Sequence, residues 1–229
     1  MGHTIEELRH SLCEVAEPSI APDMSRYMRG RFEYLGVKAP ARRAAAGAWI
    51  RQVGNDPDKA RQAVTELWAQ PEREFQYVGI DLVARVARHL DAPDIDWLAD
   101  LVVSKSWWDT VDSLAVSIGA VALEHPLAWE TIEAWSFDTG LIDTNTEPSL
   151  WLARCSILQQ LKYRDRTDED VLFERCSRRA ADTDFFIRKA IGWALRQYAR
   201  TAPQSVWLYV DQNRDVLSAL SVREATKHL

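Results

Sequence analysis

Glycine and proline are scarce in this chain, with nine of each among 229 residues. A fold made of many short strands needs more turn residues than that, whereas Ala, Leu, Arg and Glu, which are plentiful here, favour helices. Hydrophobic residues make up 47% of the sequence, which excludes a disordered chain. The composition therefore predicts a globular, mainly helical protein.

Cysteine and histidine are also few. Cys13, Cys155 and Cys176 include no CxxC pair and provide no disulfide framework. The five histidines are scattered and form neither an HExxH motif nor a zinc-type cluster. Glycine-rich phosphate loops are missing as well. We therefore expect no metal and no cofactor.

Targeting and membrane-spanning patterns are missing too. The first residues, MGHTIEELRH, lack the basic and then apolar stretch of a secretion signal. The longest weakly apolar run, 114–123, has about half the length of a membrane span. These features predict a cytoplasmic protein with no membrane partner.

Charge is unevenly distributed along the chain. The net charge is −6, from 28 basic and 34 acidic residues, yet residues 26–51 carry seven basic side chains and one acid. Residues 91–138 carry ten acids and one lysine. One basic face that binds phosphates would explain this pattern, and so would a scatter of solvated charges.

Helical periodicity runs through most of the sequence, with prolines between the periodic segments. It predicts helices at about 4–16, 22–34, 40–53, 57–69, 72–90, 94–103, 107–123, 127–136, 149–163, 168–181, 184–201, 203–212 and 218–228.

An internal repeat organises these helices. A similar short segment recurs at Val78 (VGIDLV), Asp112 (DSLAVS), Arg154 (RCSILQ), Lys189 (KAIGWA) and Glu224 (EATKHL), with separations of 34, 42, 35 and 35 residues. The last four of these segments begin with a polar residue. Such periods are typical of helix pairs in HEAT-like arrays. The repeat predicts an all-α, HEAT-like helical repeat solenoid, an α-α superhelix with a concave groove, as a single domain over 1–229. The longer step contains a polar stretch, 136–149, which predicts a loop.

The string SKSWWDTVDS at 104–113 is the most unusual one. Trp108 and Asp112 are four residues apart and share a helix face. The repeat register places Asp112 on the groove, with Arg154 and Lys189 at the aligned positions. This is a site-like combination, although a structural ion pair beside a core ring would give the same residues.

A second string, FFIRKAIGWALRQYAR at 185–200, places Trp193, Arg196 and Arg200 on one face. Gly192 inside this helix costs about 1 kcal/mol in propensity and allows a backbone or a ligand to approach closely. A core tryptophan beneath a solvated arginine row remains the alternative.

These strings identify a family resemblance that covers most of the chain. The sequence resembles the AlkD-type DNA glycosylases, HEAT-like proteins that excise N3- and N7-alkylated purines. The resemblance is carried by MSRYMRGRFEYLGVKAPARR (24–43), ELWAQPEREFQ (66–76), SKSWWDTVDS (104–113), LWLARCSILQQLKYR (150–164), FFIRKAIGWALRQYAR (185–200) and LSVREATKH (220–228).

The resemblance implies roles for individual residues. The family's catalytic aspartate falls on Asp112, its aromatic partners on Trp108 and Trp193, and its arginine near the scissile bond on Arg154. The DNA-binding positions fall on Tyr27, Lys38, Arg43, Lys162, Arg196 and Arg200. Lys38 departs from the pattern, because the family has a glutamine there, and the 136–149 segment is longer than the family's.

The resemblance also implies the activity. We expect a monofunctional DNA glycosylase that hydrolyses the N-glycosidic bond of cationic alkylpurines in duplex DNA without base flipping. Bulky adducts of DNA-alkylating natural products are expected substrates as well, as in self-resistance. We further expect a bacterial, monomeric protein. A HEAT-like scaffold that binds DNA or protein without catalysis is the alternative, and Asp112 discriminates between the two.

Overall fold

The computed structural model describes residues 4–137 and 147–229, with side chains from 150 onward in the second range. It is all-α, as predicted, and β-strands are missing from these ranges, where one isolated bridge joins Glu33 and Glu72. The helices are α1 (Ile5–Glu14), α2 (Ala21–Tyr27), α3 (Ala39–Val53), α4 (Pro57–Ala69), α5 (Arg73–Val86), α6 (Asp94–Val103), α7 (Trp108–Glu124), α8 (Ala128–Ala134), α9 (Glu147–Leu158), α10 (Glu169–Arg178), α11 (Phe185–Tyr198), α12 (Pro203–Gln212) and α13 (Ala219–Ala225).

Many helix starts follow from local sequence signals. Thr4 and Glu7 form a capping box at α1, where each side chain accepts a hydrogen bond from the backbone of the other residue. Side chains cap the first turns of four further helices, at Asp56, Asp168, Asp184 and Ser218. These caps satisfy N–H groups that would otherwise have no partner in the helix.

The chain divides into two compact units, Met1–Leu90 and Asp91–Leu229. In the first unit, α3 packs against both α1 and α5, and α5 also packs against α4. Leu8, Leu12, Leu67 and Phe75 are buried there. The prediction of one domain over 1–229 stays a prediction.

The second unit contains a succession of helices that matches the repeat. Helix α7 packs against α9, α9 against α11, and α11 against α13. These helices carry Asp112, Arg154, Lys189 and Glu224, so the repeat alignment identified neighbouring helices and the prediction of a helical repeat fold is confirmed.

Two glycines mark close contacts within this succession. A Cβ at Gly119 in α7 would lie 1.9 Å from the carbonyl oxygen of Gln159. A Cβ at Gly192 in α11 would lie 2.5 Å from the Cβ of Glu224 and 2.9 Å from the carbonyl oxygen of Ser221. Gly192 therefore allows the close approach of α13. The sequence predicted that either a backbone or a ligand approaches at this glycine, and the structure shows a backbone there.

The prediction of a helix over 22–34 was wrong in its second half, because α2 ends at Tyr27. Arg29 and Gly30 have φ values of 57° and 71°, which a right-handed helix cannot contain. The segment that follows is held by Glu74, whose buried carboxylate accepts hydrogen bonds from the backbone N–H groups of residues 35–37, at 3.0–3.1 Å.

Other boundaries differ by smaller amounts. Helix α9 ends at Leu158 rather than at 163, and turns follow it. The predicted loop at 136–149 lies mostly outside the described residues, although α9 already begins at Glu147. Within the described ranges, every helix is too short or too polar to cross a bilayer.

Candidate active site

Asp112 and Arg154 form a bidentate ion pair in the second unit, with two parallel hydrogen bonds. Arg154 Nε donates to Asp112 Oδ1 at 2.7 Å, and Arg154 Nη2 donates to Oδ2 at 2.9 Å. Asp112 lies in the second turn of α7 and Arg154 in the middle of α9, and these helices pack together. Such a fork fixes the plane of the carboxylate as well as its position.

The third edge of the arginine is also engaged. Arg154 Nη1 donates to the carbonyl oxygen of Phe186 at 2.5 Å, in the first turn of α11. Three helices thus meet at one guanidinium group. The Arg154 side chain is 5% exposed and that of Asp112 15% exposed, so the carboxylate is the more accessible member of the pair.

The environment acts on the carboxyl group in two directions. Burial raises the pKa of Asp112 above its ordinary value, while the hydrogen bonds and the positive charge of Arg154 oppose that rise. Arg154 therefore favours the ionised carboxylate at this position.

Aromatic side chains pack next to this pair. The rings of Trp107, Trp151 and Phe186 lie 5.0–5.7 Å apart, and all three contacts are tilted or edge-on. Trp107 and Trp151 are 4% and 1% exposed. The cluster joins the residue before α7 to α9 and α11, and it fixes the elements that carry Asp112, Arg154 and the Phe186 carbonyl.

Sequence reasoning missed Trp151 and Phe186. Their spacing resembles that of any buried helix face, so no local signal separates them from ordinary core residues. The same reasoning identified Asp112 and Arg154, and the structure brings those two into direct contact.

The two predicted aromatic partners occupy partly buried positions. Trp108 is the first residue of α7, one turn before Asp112, and Trp193 lies in the middle of α11. Their roles beside the scissile bond stay predictions.

A second charged cluster lies between α11 and α13. Lys189 Nζ is 2.7 Å from Glu224 Oε1, and Arg196 Nη1 forms an ion pair with Glu224 Oε2. These two cations lower the pKa of Glu224 to about 2. The predicted DNA-binding residue Arg196 is therefore held by an acidic side chain of the same unit.

The other predicted DNA-binding residues are exposed. In the second unit, Lys162 follows α9 and Arg200 follows α11. In the first unit, Tyr27 is 71% exposed, Lys38 lies 3.4 Å from Glu17, and Arg43 lies 4.0 Å from Asp81. Their contacts with DNA stay predictions.

Clusters of three or more His, Cys, Asp or Glu side chains in metal-binding geometry are missing from the part of the chain that the structure describes. The chemistry available at Asp112 is that of a carboxylate held against a guanidinium group.

Comparisons with known proteins agree with one another. A family model described as "DNA alkylation repair enzyme" matches residues 8–229. A solved structure described as a predicted DNA alkylation repair enzyme from Enterococcus faecalis is 32% identical, with a TM-score of 0.83. That match covers 93% of this chain and 96% of the other. Among proteins with curated descriptions, none matches the chain significantly.

Proposed function

The chain belongs to the DNA alkylation repair enzyme family, and we propose that it is a monofunctional DNA glycosylase for cationic N3- and N7-alkylated purines in duplex DNA. The observation that carries the proposal is the fork between Asp112 and Arg154, whose carboxylate is the more accessible partner.

The proposed substrate explains why a single carboxylate is enough. An N3- or N7-alkylated purine is positively charged, so its glycosidic bond is already weak and the base departs neutral. The enzyme needs no acid to protonate this leaving group. It needs a fixed negative charge where positive charge develops, which is on the sugar.

Asp112 supplies that charge in the proposed reaction. As the bond between C1′ and the purine nitrogen breaks, its electron pair goes to the purine, and the sugar becomes oxocarbenium-like. The carboxylate stabilises this cation and orients a water molecule, whose oxygen bonds to C1′. The water proton passes to the carboxylate and then to solvent, and an abasic site and a neutral base remain.

Arg154 keeps Asp112 ready for this role. Its bidentate contact favours the ionised carboxylate and holds it in one orientation, while the Phe186 carbonyl holds the guanidinium. A protein that only binds DNA would gain little from a buried carboxylate, because burying a charge is costly and a negative group repels phosphate.

The remaining predicted residues would bind the substrate. We assign the indoles of Trp108 and Trp193 to the cationic nucleotide and its sugar, an attraction worth about 0.5–2 kcal/mol each. Tyr27, Lys38, Arg43, Lys162, Arg196 and Arg200 would contact the DNA backbone. Recognition by charge and by duplex deformability would require no extrusion of the base and would accept bulky adducts.

The first test is release of 7-methylguanine from a methylated duplex by the wild type and by Asp112→Asn. We expect the variant to lose at least about 100-fold in single-turnover rate, as when one preorganised electrostatic group is removed, while it keeps most of its DNA affinity. Asp211→Asn, which removes a 51% exposed carboxylate on α12, is the charge-matched control and should retain its rate.

Two outcomes would change the assignment. Equal rates for the wild type and Asp112→Asn would refute the carboxylate mechanism. If the wild type releases neither 7-methylguanine nor a bulky N3-adenine adduct, the chain is a non-catalytic DNA-binding scaffold.

A further inference from the structure

Glu224 bridges two cations that flank Trp193 on one face of α11. Lys189 precedes Trp193 by four residues and Arg196 follows it by three, so all three share a face. Each carboxylate oxygen of Glu224 receives one of the cations, and Arg196 Nη1 also lies 3.4 Å from the Glu224 carbonyl oxygen.

The cations are the outer members of this cluster. The Lys189 side chain is 39% exposed and that of Arg196 is 21% exposed, but that of Glu224 is only 14% exposed. Both cationic side chains are therefore more open to an approaching anion than the carboxylate is. Two positive charges against one negative charge leave the cluster net positive.

The position of Glu224 is set by the backbone. Gly192, one residue before Trp193, lets α13 approach so closely that a Cβ there would overlap Glu224 and Ser221. The Ser221 hydroxyl also donates to the carbonyl oxygen of Arg188, at 2.9 Å. The backbone and Cβ of Glu224 are thus held against α11 by contacts other than its ion pairs.

We propose that Lys189 and Arg196 form a clamp for one DNA backbone phosphate, and that Glu224 is a positioning residue that sets the spacing of the two cations around Trp193. The proposal rests on the proposed action on DNA. It adds Lys189 to the DNA-binding residues and gives α13 a part in substrate binding.

The hydrogen-bond donors of Lys189 and Arg196 are numerous enough to bind a phosphate as well as Glu224. An ammonium group has three donors and a guanidinium group has five, so one carboxylate leaves donors available on both. Phosphate oxygens accept such charge-assisted bonds well, and arginine presents them in a fork. Without Glu224, the two long side chains would repel each other and move apart.

Lys189→Met tests the clamp, because it keeps the aliphatic stem and removes the charge. We expect DNA affinity to fall about fivefold near 0.1 M salt, and the salt dependence of binding to decrease by about one phosphate contact. Lys59→Met is the matched control, since Lys59 on α4 is 71% exposed and faces Asp56 in a local ion pair. Equal affinities and salt slopes for the two variants would overturn the clamp.

Glu224→Gln separates positioning from long-range charge. Removing an acidic group should strengthen DNA binding if charge alone matters. Positioning predicts the reverse, with at least a threefold rise in the half-saturating DNA concentration, a smaller change in the maximal excision rate, and a weaker effect in a Lys189→Met background. Tighter binding by Glu224→Gln would show that the carboxylate masks the cations, and would overturn the proposal.

The binding measurements also separate this proposal from the function it rests on. A wild type that binds duplex DNA and excises nothing would end the glycosylase assignment, while the salt slopes would still decide on Lys189. If the wild type excises normally but Lys189→Met binds DNA with the same affinity and salt slope as Lys59→Met, the clamp proposal alone is refuted.

Discussion

Two carboxylate clusters occupy equivalent places in the helical repeat, yet their environments act on them in opposite directions. Asp112 has one cationic partner, and its partial burial raises its pKa. Glu224 has two cationic partners, which lower its pKa to about 2. One carboxylate is thus dominated by burial and the other by its two cations, and our proposals give them different roles, in chemistry and in holding other side chains.

The comparison also concerns what each carboxylate presents to a ligand. At the first cluster the acid is more exposed than its arginine, whereas at the second the cations are more exposed than the acid. In the proposed function, the first cluster would offer a negative charge to a developing sugar cation, and the second would offer positive charge to a phosphate.

Breaking the first cluster should have the largest effect on stability. Arg154→Met leaves Asp112 buried without its main counter-charge, and we expect a loss of about 3–5 kcal/mol in unfolding free energy at pH 8. The loss should be smaller at pH 5, because protonation of Asp112 then relieves the unpaired charge. Urea unfolding at the two pH values measures this.

The matched control for that experiment is Arg214→Met, which removes a 61% exposed guanidinium 3.9 Å from Asp211. It should change stability by less than about 1 kcal/mol, as exposed ion pairs do. An Arg154→Met penalty no larger than this, or one independent of pH, would mean that the first cluster does not differ from a surface pair.

Separating α11 from α13 should have an intermediate effect. Gly192→Ala adds a methyl group where Glu224 and Ser221 already lie, and we expect a loss of about 1–3 kcal/mol together with weaker DNA binding. Gly47→Ala is the control, since its nearest neighbour is the flexible end of Arg51 at 3.3 Å. That change should be neutral or stabilising, by up to about 1 kcal/mol. Equal stabilities for the two variants would contradict the close contact.

Lowering the pH should weaken the second cluster, with a smaller effect on the unfolding free energy. The pKa of Glu224 is lower in the folded state than its ordinary 4.5, so the stability it provides is complete above pH 4.5 and is lost as the pH falls towards about 2. After allowance for solvent screening we expect about 1–2 kcal/mol. The stability gap between the wild type and Glu224→Gln should therefore narrow between pH 6 and pH 3, and a constant gap would count against the bridge.

The repeat register was predictable from the sequence because similar short segments recur at a near-constant spacing and the last four begin with a polar residue. Asp112, Arg154, Lys189 and Glu224 occupy that position, and the structure joins them as two clusters. The direct contact of Asp112 with Arg154 could be anticipated for the same reason.

Bends and long-range partners were not predictable. The end of α2 at Tyr27 depends on left-handed residues at 29 and 30, and one of them is an arginine, which gives no turn signal. The hydrogen bond from Arg154 to the Phe186 carbonyl and the approach of α13 to Gly192 depend on tertiary packing. The sequence indicated a close approach at Gly192 but did not show which element makes it.

The most direct test of the division between the clusters is the maximal single-turnover rate of 7-methylguanine release, measured at saturating DNA for Asp112→Asn and Glu224→Gln side by side. Our account predicts that Asp112→Asn loses at least about 100-fold while Glu224→Gln stays within a few-fold of the wild type. Equal losses in the two variants, or a larger loss in Glu224→Gln, would contradict it.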